Sequence, residues 1–355
     1  MKKKIVATLL TTVMAVMGIA GSSVCVFAGA TEEKETTEET ETTEETETTD
    51  KSEDAMYDGK VLLGQASWIG YAPLYLADQK GFFDDHGADV DVQFFESKTD
   101  SKSALAAGRI QGMSTTVDTH VMSAASGMDI SIVLALDTSD GGDGLSALKD
   151  IKDIPSLKGH TVALDTSGGA SYFWFQYLLQ KEGMTLDDVE VVNMSSGDAG
   201  AAFVAGEVDA AVTWEPWLSK AKETDNGSVL IDSSETPGII VDALAMDKEF
   251  AAEYPGTVKA IVEGWYDALA YMESDSDDAY KIMMEYTGDE SADDLKASME
   301  EVKFYDKDGN AEYYDGEIQD VAKMAADLWL DMGLIDAEPD LDSLVDGSFI
   351  GGTEE

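Results

Sequence analysis

Three features of the sequence predict an α/β fold of two similar lobes, each a mostly parallel sheet flanked by helices, with further helices at the C-terminus. The first is a repeated phrase. Residues 198–217 pass from Asp198, as a helix cap, through an inward Phe203 to a stop at Gly206; an apolar run over 208–212 and a polar-aromatic loop follow. Residues 100–118 carry the same phrase at one constant offset. Asp100 stands for Asp198, Leu105 for Phe203, Gly108 for Gly206, Ile110 for Val208 and Thr115 for Thr213. The second feature is the alternation of strand-length apolar runs with glycine-terminated helical stretches between residues 60 and 244, which is the pattern of β-α-β units. The third is a long helical pattern over 248–332. It sets Trp265, Tyr266, Leu269, Met272, Ile282, Met283 and Met324 at core spacings.

Taken in order, residues 1–30 read as an export signal. Lys2, Lys3 and Lys4 precede an apolar run over 5–20, and Ala28-Gly29-Ala30 offers a small-residue cut. Cys25 offers a lipid anchor instead, although Val24 stands where such signals usually carry a small residue; for a single membrane span the run is short. Residues 31–54 form a Thr/Glu tract without aromatic or periodic apolar residues, expected to be an extended acidic linker. Strands are expected over 60–66, 89–95, 110–114 and 130–136, with a helix opened by Pro73 and stopped by Gly81. The Gly/Asp-rich stretch 138–144 reads as a crossing between lobes. A second unit repeats the first: strands over 161–164 and 189–194, a helix over 172–180, then the 198–217 phrase. Runs at 229–232 and 239–244 read as the return. Lobe one is therefore expected over 55–140 and 238–355, and lobe two over 141–237.

Composition narrows the function. At 355 residues and 44% hydrophobic content the chain can bury one or two cores. A formal charge of −49 excludes nucleic acid as a partner, because little here could replace phosphate counterions. Arg109 is the single arginine and is expected on the edge away from the cleft, while Cys25 is the single cysteine, so the folded part has no disulfide. His86, His120 and His160 lie far apart without metal-ligand spacing and read as ordinary surface or strand-end residues.

In open parallel sheets, ligands sit beyond the carboxyl ends of the strands, at the switch point between first and third strands. That rule selects loops carrying Trp68, Tyr71, Thr115, Thr116 and Asp118 in lobe one. In lobe two it selects Ser167, Gly169, Ser171, Tyr172, Trp214 and Glu215, with Asp143 and Asp242 beside them. The rings supply flat walls, the hydroxyls and carboxylates supply polar contacts, and helix starts supply free backbone N–H groups. Simpler roles exist for some of these: Ser167 and Ser171 suit helix caps, Pro216 suits a helix start, and Trp217 suits packing on its own lobe. No nucleophile–histidine pair, phosphate loop or metal spacing is present in the sequence.

Residues 68–77 followed by Lys80-Gly81-Phe82-Phe83 resemble the opening of the nitrate/sulfonate/taurine-type substrate-binding proteins of ABC importers. Leu105-Ala106-Ala107-Gly108, residues 157–163, residues 205–210 and Trp214-Glu215-Pro216 resemble the same family. The likeness runs from about residue 59 to residue 332. It implies a type II periplasmic-binding-protein fold and a monomeric extracytoplasmic protein that closes on a small solute and delivers it to a membrane permease, with no cofactor and no metal. Two other functions are compatible with the chain: a thiamine-precursor pyrimidine synthase of the same fold, whose cysteine-rich motif is missing here, and a surface sensory protein on an acidic stalk. Anion-binding relatives would be expected to place positive groups in the cleft. This chain instead places Asp118, Asp137, Asp140, Asp143, Glu215 and Asp242 in the cleft loops. Carboxylates beside aromatic faces suit a cation or a neutral amide-like solute, whereas helix-end donors could hold an anion.

Overall fold

Among the described residues, eleven strands follow one another: β1 (Val61–Gln65), β2 (Val90–Phe94), β3 (Gly112–Thr116), β4 (Ile130–Ser139), β5 (Asp143–Leu148), β6 (Thr161–Leu164), β7 (Glu190–Asn193), β8 (Ala210–Trp214), β9 (Gly227–Asp232), β10 (Val241–Asp247) and β11 (Val302–Phe304). The computed structural model describes residues 54–66, 68–95, 98–288 and 291–351, all within one compact unit, Asp50–Glu355. The expected export signal and acidic linker lie outside the described residues, apart from Asp54.

The strands form two sheets, ordered β11-β4-β10-β3-β1-β2 and β7-β6-β8-β5-β9. The repeat seen in the sequence is a repeat of topology. In the first sheet β1 runs parallel to both β2 and β3, and in the second β6 runs parallel to both β7 and β8. Each parallel trio is flanked by one antiparallel strand: β10 lies between β3 and β4, and β5 between β8 and β9. The central strands β1, β6 and β8 are almost wholly buried, whereas the outer strands β2 and β7 are only partly so.

Two crossings join the sheets. Strand β4 continues to Ser139, beyond the expected end at 136, and only three residues separate it from β5, so most of the Gly/Asp-rich stretch is strand. The return runs from β9, which stays in the second sheet, to β10, the one of the two expected return runs that joins the first. Hydroxyls tie the crossings together: Ser139 Oγ lies 2.8 Å from Ser233 Oγ, and Ser233 Oγ accepts from the Gly141 N–H at 2.8 Å.

Local chemistry sets the helix ends. Pro73 stands in the first turn of the Ala72–Lys80 helix, and Gly81, at φ 75°, ends it in the left-handed conformation that glycine adopts at least cost. The Ser196–Val204 helix begins earlier than expected. Ser195 is its cap, accepting from the Asp198 N–H at 3.2 Å, so Asp198 sits in the first turn. The C-terminal helical stretch is broken by β11, which adds to the edge of the first sheet beside β4. Trp174, Trp265 and Trp329 are fully buried, and each indole N–H donates, to Thr236 Oγ1, the Tyr305 carbonyl and the Asp118 carbonyl.

Candidate ligand-binding cleft

A cavity of about 470 Å³ lies between the carboxyl edges of the two sheets and is lined by residues of both. From the first half come Ala66, Trp68, Tyr71, Thr99, Lys102, Thr116, Thr119 and Met122, joined by Ile240 and Asp242 at the returning strand. From the second half come Asp143, Asp165, Ser167, Gly168, Gly169, Ala170, Ser171, Ser195, Ser196, Gly197 and Trp214.

The loop after β1 holds its rings by their polar ends. Trp68 Nε1 donates to Asp137 Oδ1 at 3.0 Å, and the Tyr71 hydroxyl donates to Asp242 Oδ1. Gly70 makes this possible: a Cβ there would fall 2.3 Å from Asp137 Oδ2 and 2.4 Å from Trp68 Nε1. Burial pushes the Tyr71 hydroxyl well above its ordinary pKa, with the Asp242 carboxylate adding to the effect, so it stays a donor. Asp137 is fully buried; desolvation first, and the charge of Asp242 second, push its carboxyl well above the usual range.

The matching loop after β6 is built from small residues. Asp165 Oδ1 accepts from the Ser167 N–H at 2.9 Å and from its hydroxyl at 2.6 Å, folding the loop on itself. Gly168 and Gly169 take φ values of 99° and 98°, which L side chains rarely adopt. They bring backbone to the cavity wall, where the Ala170–Lys181 helix starts with no side-chain cap. A buried hydroxyl chain extends this wall: Ser196 Oγ donates to Ser171 Oγ at 3.0 Å, and Thr213 Oγ1 donates to the Ser196 carbonyl at 2.7 Å. Helix N-termini of this kind present N–H donors to a ligand.

Nine of the sequence-selected residues line the cavity: Trp68, Tyr71, Thr116, Asp143, Ser167, Gly169, Ser171, Trp214 and Asp242. Four do not. Thr115 is buried beside Thr116 on β3, and period-two alternation turns its side chain to the opposite face of the sheet. Asp118 is buried in the first turn of the Val117–Ala125 helix, against Thr119 and beneath Trp329. Tyr172 turns away to stack on Trp329, with ring centroids 6.1 Å apart. Glu215 caps locally, its carboxylate accepting from the Ser219 N–H and hydroxyl at 3.0 Å each.

The selection missed the loops after the second strand of each trio. Lys102 and Thr99 reach the cavity from the Lys98–Ala106 helix after β2, and Ser195, Ser196 and Gly197 from the helix start after β7. The signal was Ser195 three residues before Asp198, a serine–acid capping pair. His120 also departs from expectation: it is fully buried, its Nε2 lies 3.0 Å from the Ala243 carbonyl, and burial lowers its pKa to about 4. Among the described residues, no three His, Cys, Asp or Glu side chains come together as a metal-ligand set.

The NMT1-like family model matches residues 54–286, about two thirds of the sequence and the whole of both parallel trios. The chain belongs to the NMT1-like family. A Brucella abortus protein is 26% identical to this NMT1-like chain over 200 residues, 56% of the chain and 61% of that protein's length. A Bacillus subtilis protein named for binding aliphatic sulfonates is 24% identical over 285 residues, 79% of the chain and 84% of its own length. Among solved structures, the periplasmic aliphatic sulphonate-binding protein SsuA of Escherichia coli superposes with a TM-score of 0.68 at 18% identity, covering 81% of this chain and 97% of SsuA. The NMT1-like chain thus has the periplasmic-binding-protein fold, as its sequence resemblance implied.

Proposed function

We propose that this chain is the extracytoplasmic substrate-binding component of an ABC importer. It captures a small nitrogen- or sulfur-containing solute between two lobes, residues 55–140 with 238–355 and residues 141–237, and passes it to a membrane permease. The observation that carries this reading is the cavity lined from both sheets, with only two chain crossings between them. Contacts made by both lobes exist only when the lobes are together, so a ligand that touches both favours closure. The sulfonate-binding names of a relative and a structural neighbour fit a binding role rather than an enzymatic one. On this reading residues 1–30 direct export, Cys25 or the acidic linker sets how the protein is held at the cell surface, and it works as a monomer.

The test has two parts. Native mass spectrometry of freshly purified protein should reveal a retained small molecule. Small-angle scattering should then show a smaller radius of gyration with that molecule than after its removal. An unchanged radius at saturation would overturn the closing-lobe mechanism.

A further inference from the structure

We propose that the deep end of the cleft is a subsite for a compact organic cation of the ammonium, amidinium or guanidinium class. The site is formed by Asp143 and Asp242 and walled by Trp68, Tyr71 and Trp214. The inference rests on the solute-binding reading above and specifies what that site accepts.

Asp143 and Asp242 both line the cavity yet are only 4% and 3% exposed. They come from opposite sheets: Asp143 begins β5 and pairs in register with Trp214, and Asp242 stands in β10 opposite Asp137. Carboxylates from both halves therefore converge where the crossings meet. Asp137 pairs with Asp242 across the strands, is 0% exposed and is not among the residues lining the cavity. Its Oδ1 takes the indole N–H of the cleft residue Trp68, and its Oδ2 has no hydrogen-bond partner among the described residues.

Two buried carboxylates facing one cavity carry a desolvation cost and repel one another. A cation seated between them offsets both effects, and a sulfonate or nitrate there would add to both. The rings fit the same ligand, because a cation over an indole or phenol face is attracted by its quadrupole. A metal ion fits less well, because these side chains do not come together as a metal-ligand set. Of the other charges on the wall, Asp165 is bound to Ser167, and Lys102 enters from the Lys98–Ala106 helix. The wider field acts in the same direction: the first 54 residues hold 5 basic and 12 acidic groups, leaving the rest at −42 by formal count.

Calorimetric titration of the full mature chain with guanidinium, methylammonium, tetramethylammonium, urea, methanesulfonate and nitrate tests the proposal. At least one cation should bind, without competition from methanesulfonate. Asp242→Asn and Asp143→Asn should each weaken it by about tenfold or more. Melting curves establish that each variant is folded, and should one fail to fold, the other carries the test. Tight binding of methanesulfonate or nitrate, binding of urea alone, failure of all three cations, or cation binding untouched by a folded Asp→Asn variant would each overturn it. An anion that binds and contracts the protein would remove the cation subsite while leaving the solute-binding function standing.

Discussion

The loops after β1 and β6 hold equivalent places in two repeated units and are chemically opposite. After β1 the chain carries Trp68 and Tyr71, whose polar ends are fixed by Asp137 and Asp242. After β6 it carries Ser167, Gly168, Gly169 and Ser171, and presents backbone rather than rings. Both loops end in a tyrosine, yet Tyr71 lines the cavity while Tyr172 leaves it for Trp329. The repeat conserves strand order and helix placement, and side chains alone make one wall acidic and aromatic and the other a row of donors.

Truncating the tyrosine that leaves the cavity should have the largest effect. Tyr172→Ala removes a ring packed between helices, so it should lower stability by about 3–5 kcal/mol, the range for large-to-small core changes. Thermal or urea melts would measure it. Equal melting of variant and parent would show that the stack on Trp329 contributes nothing. Next in size, Gly70→Ala should cost about 1–3 kcal/mol, because its Cβ would meet Asp137 and Trp68 at well under contact distance.

Trp214→Ala should weaken ligand binding by about 1–3 kcal/mol with the fold intact, since its ring lines the cavity and is not fully buried. A large fall in melting temperature with proportionate loss of binding would recast it as a core residue. The smallest effect concerns pH. Glu301 packs against the first crossing, where its carbonyl accepts from the Asp140 N–H and its side chain lies beside Gly141. Burial, and then the nearby Glu215 charge, raise its pKa from 4.5 to about 7. A carboxyl raised in the folded state contributes stability that is complete below its unfolded value and lost as pH rises through its folded one. Stability should therefore decline between about pH 4.5 and 7 from this source, and Glu301→Gln should flatten that part of the melting profile. An unaltered profile in the variant would remove Glu301 from the account.

Much of this was legible in the sequence because it is local. The duplicated phrase gave matching strand-helix units, and the carboxyl-edge rule found Trp68, Tyr71, Ser167 and Trp214, since each lies at or shortly beyond the carboxyl end of a strand. What was missed depends on distant partners. Tyr172 points where it does because Trp329, far along the chain, offers a ring to stack on. Asp198 looked like a cap until Ser195 took the role, which moved Ser196 and Gly197 to the cavity edge. Lys102 lies on a helix after the second strand, where the rule was not applied. Strand β11 is three residues long, too short for any periodicity, and exists because β4 offers it an edge.

The position of β10 has a consequence for how the chain is assembled. It lies between β3 and β4, yet all of β5 to β9 precedes it in synthesis. Until the chain has emerged past Asp247, β3 and β4 have no strand between them, and their facing backbone groups are open to mispairing. The first sheet therefore cannot close while the chain is still threading out, whereas the second has every strand it needs once β9 is out. A chain stopped at residue 240 should show slow amide exchange in β6 and β8 and fast exchange in β3 and β4. The half that begins first finishes last, so the chain stays open in its first sheet until synthesis has passed β10.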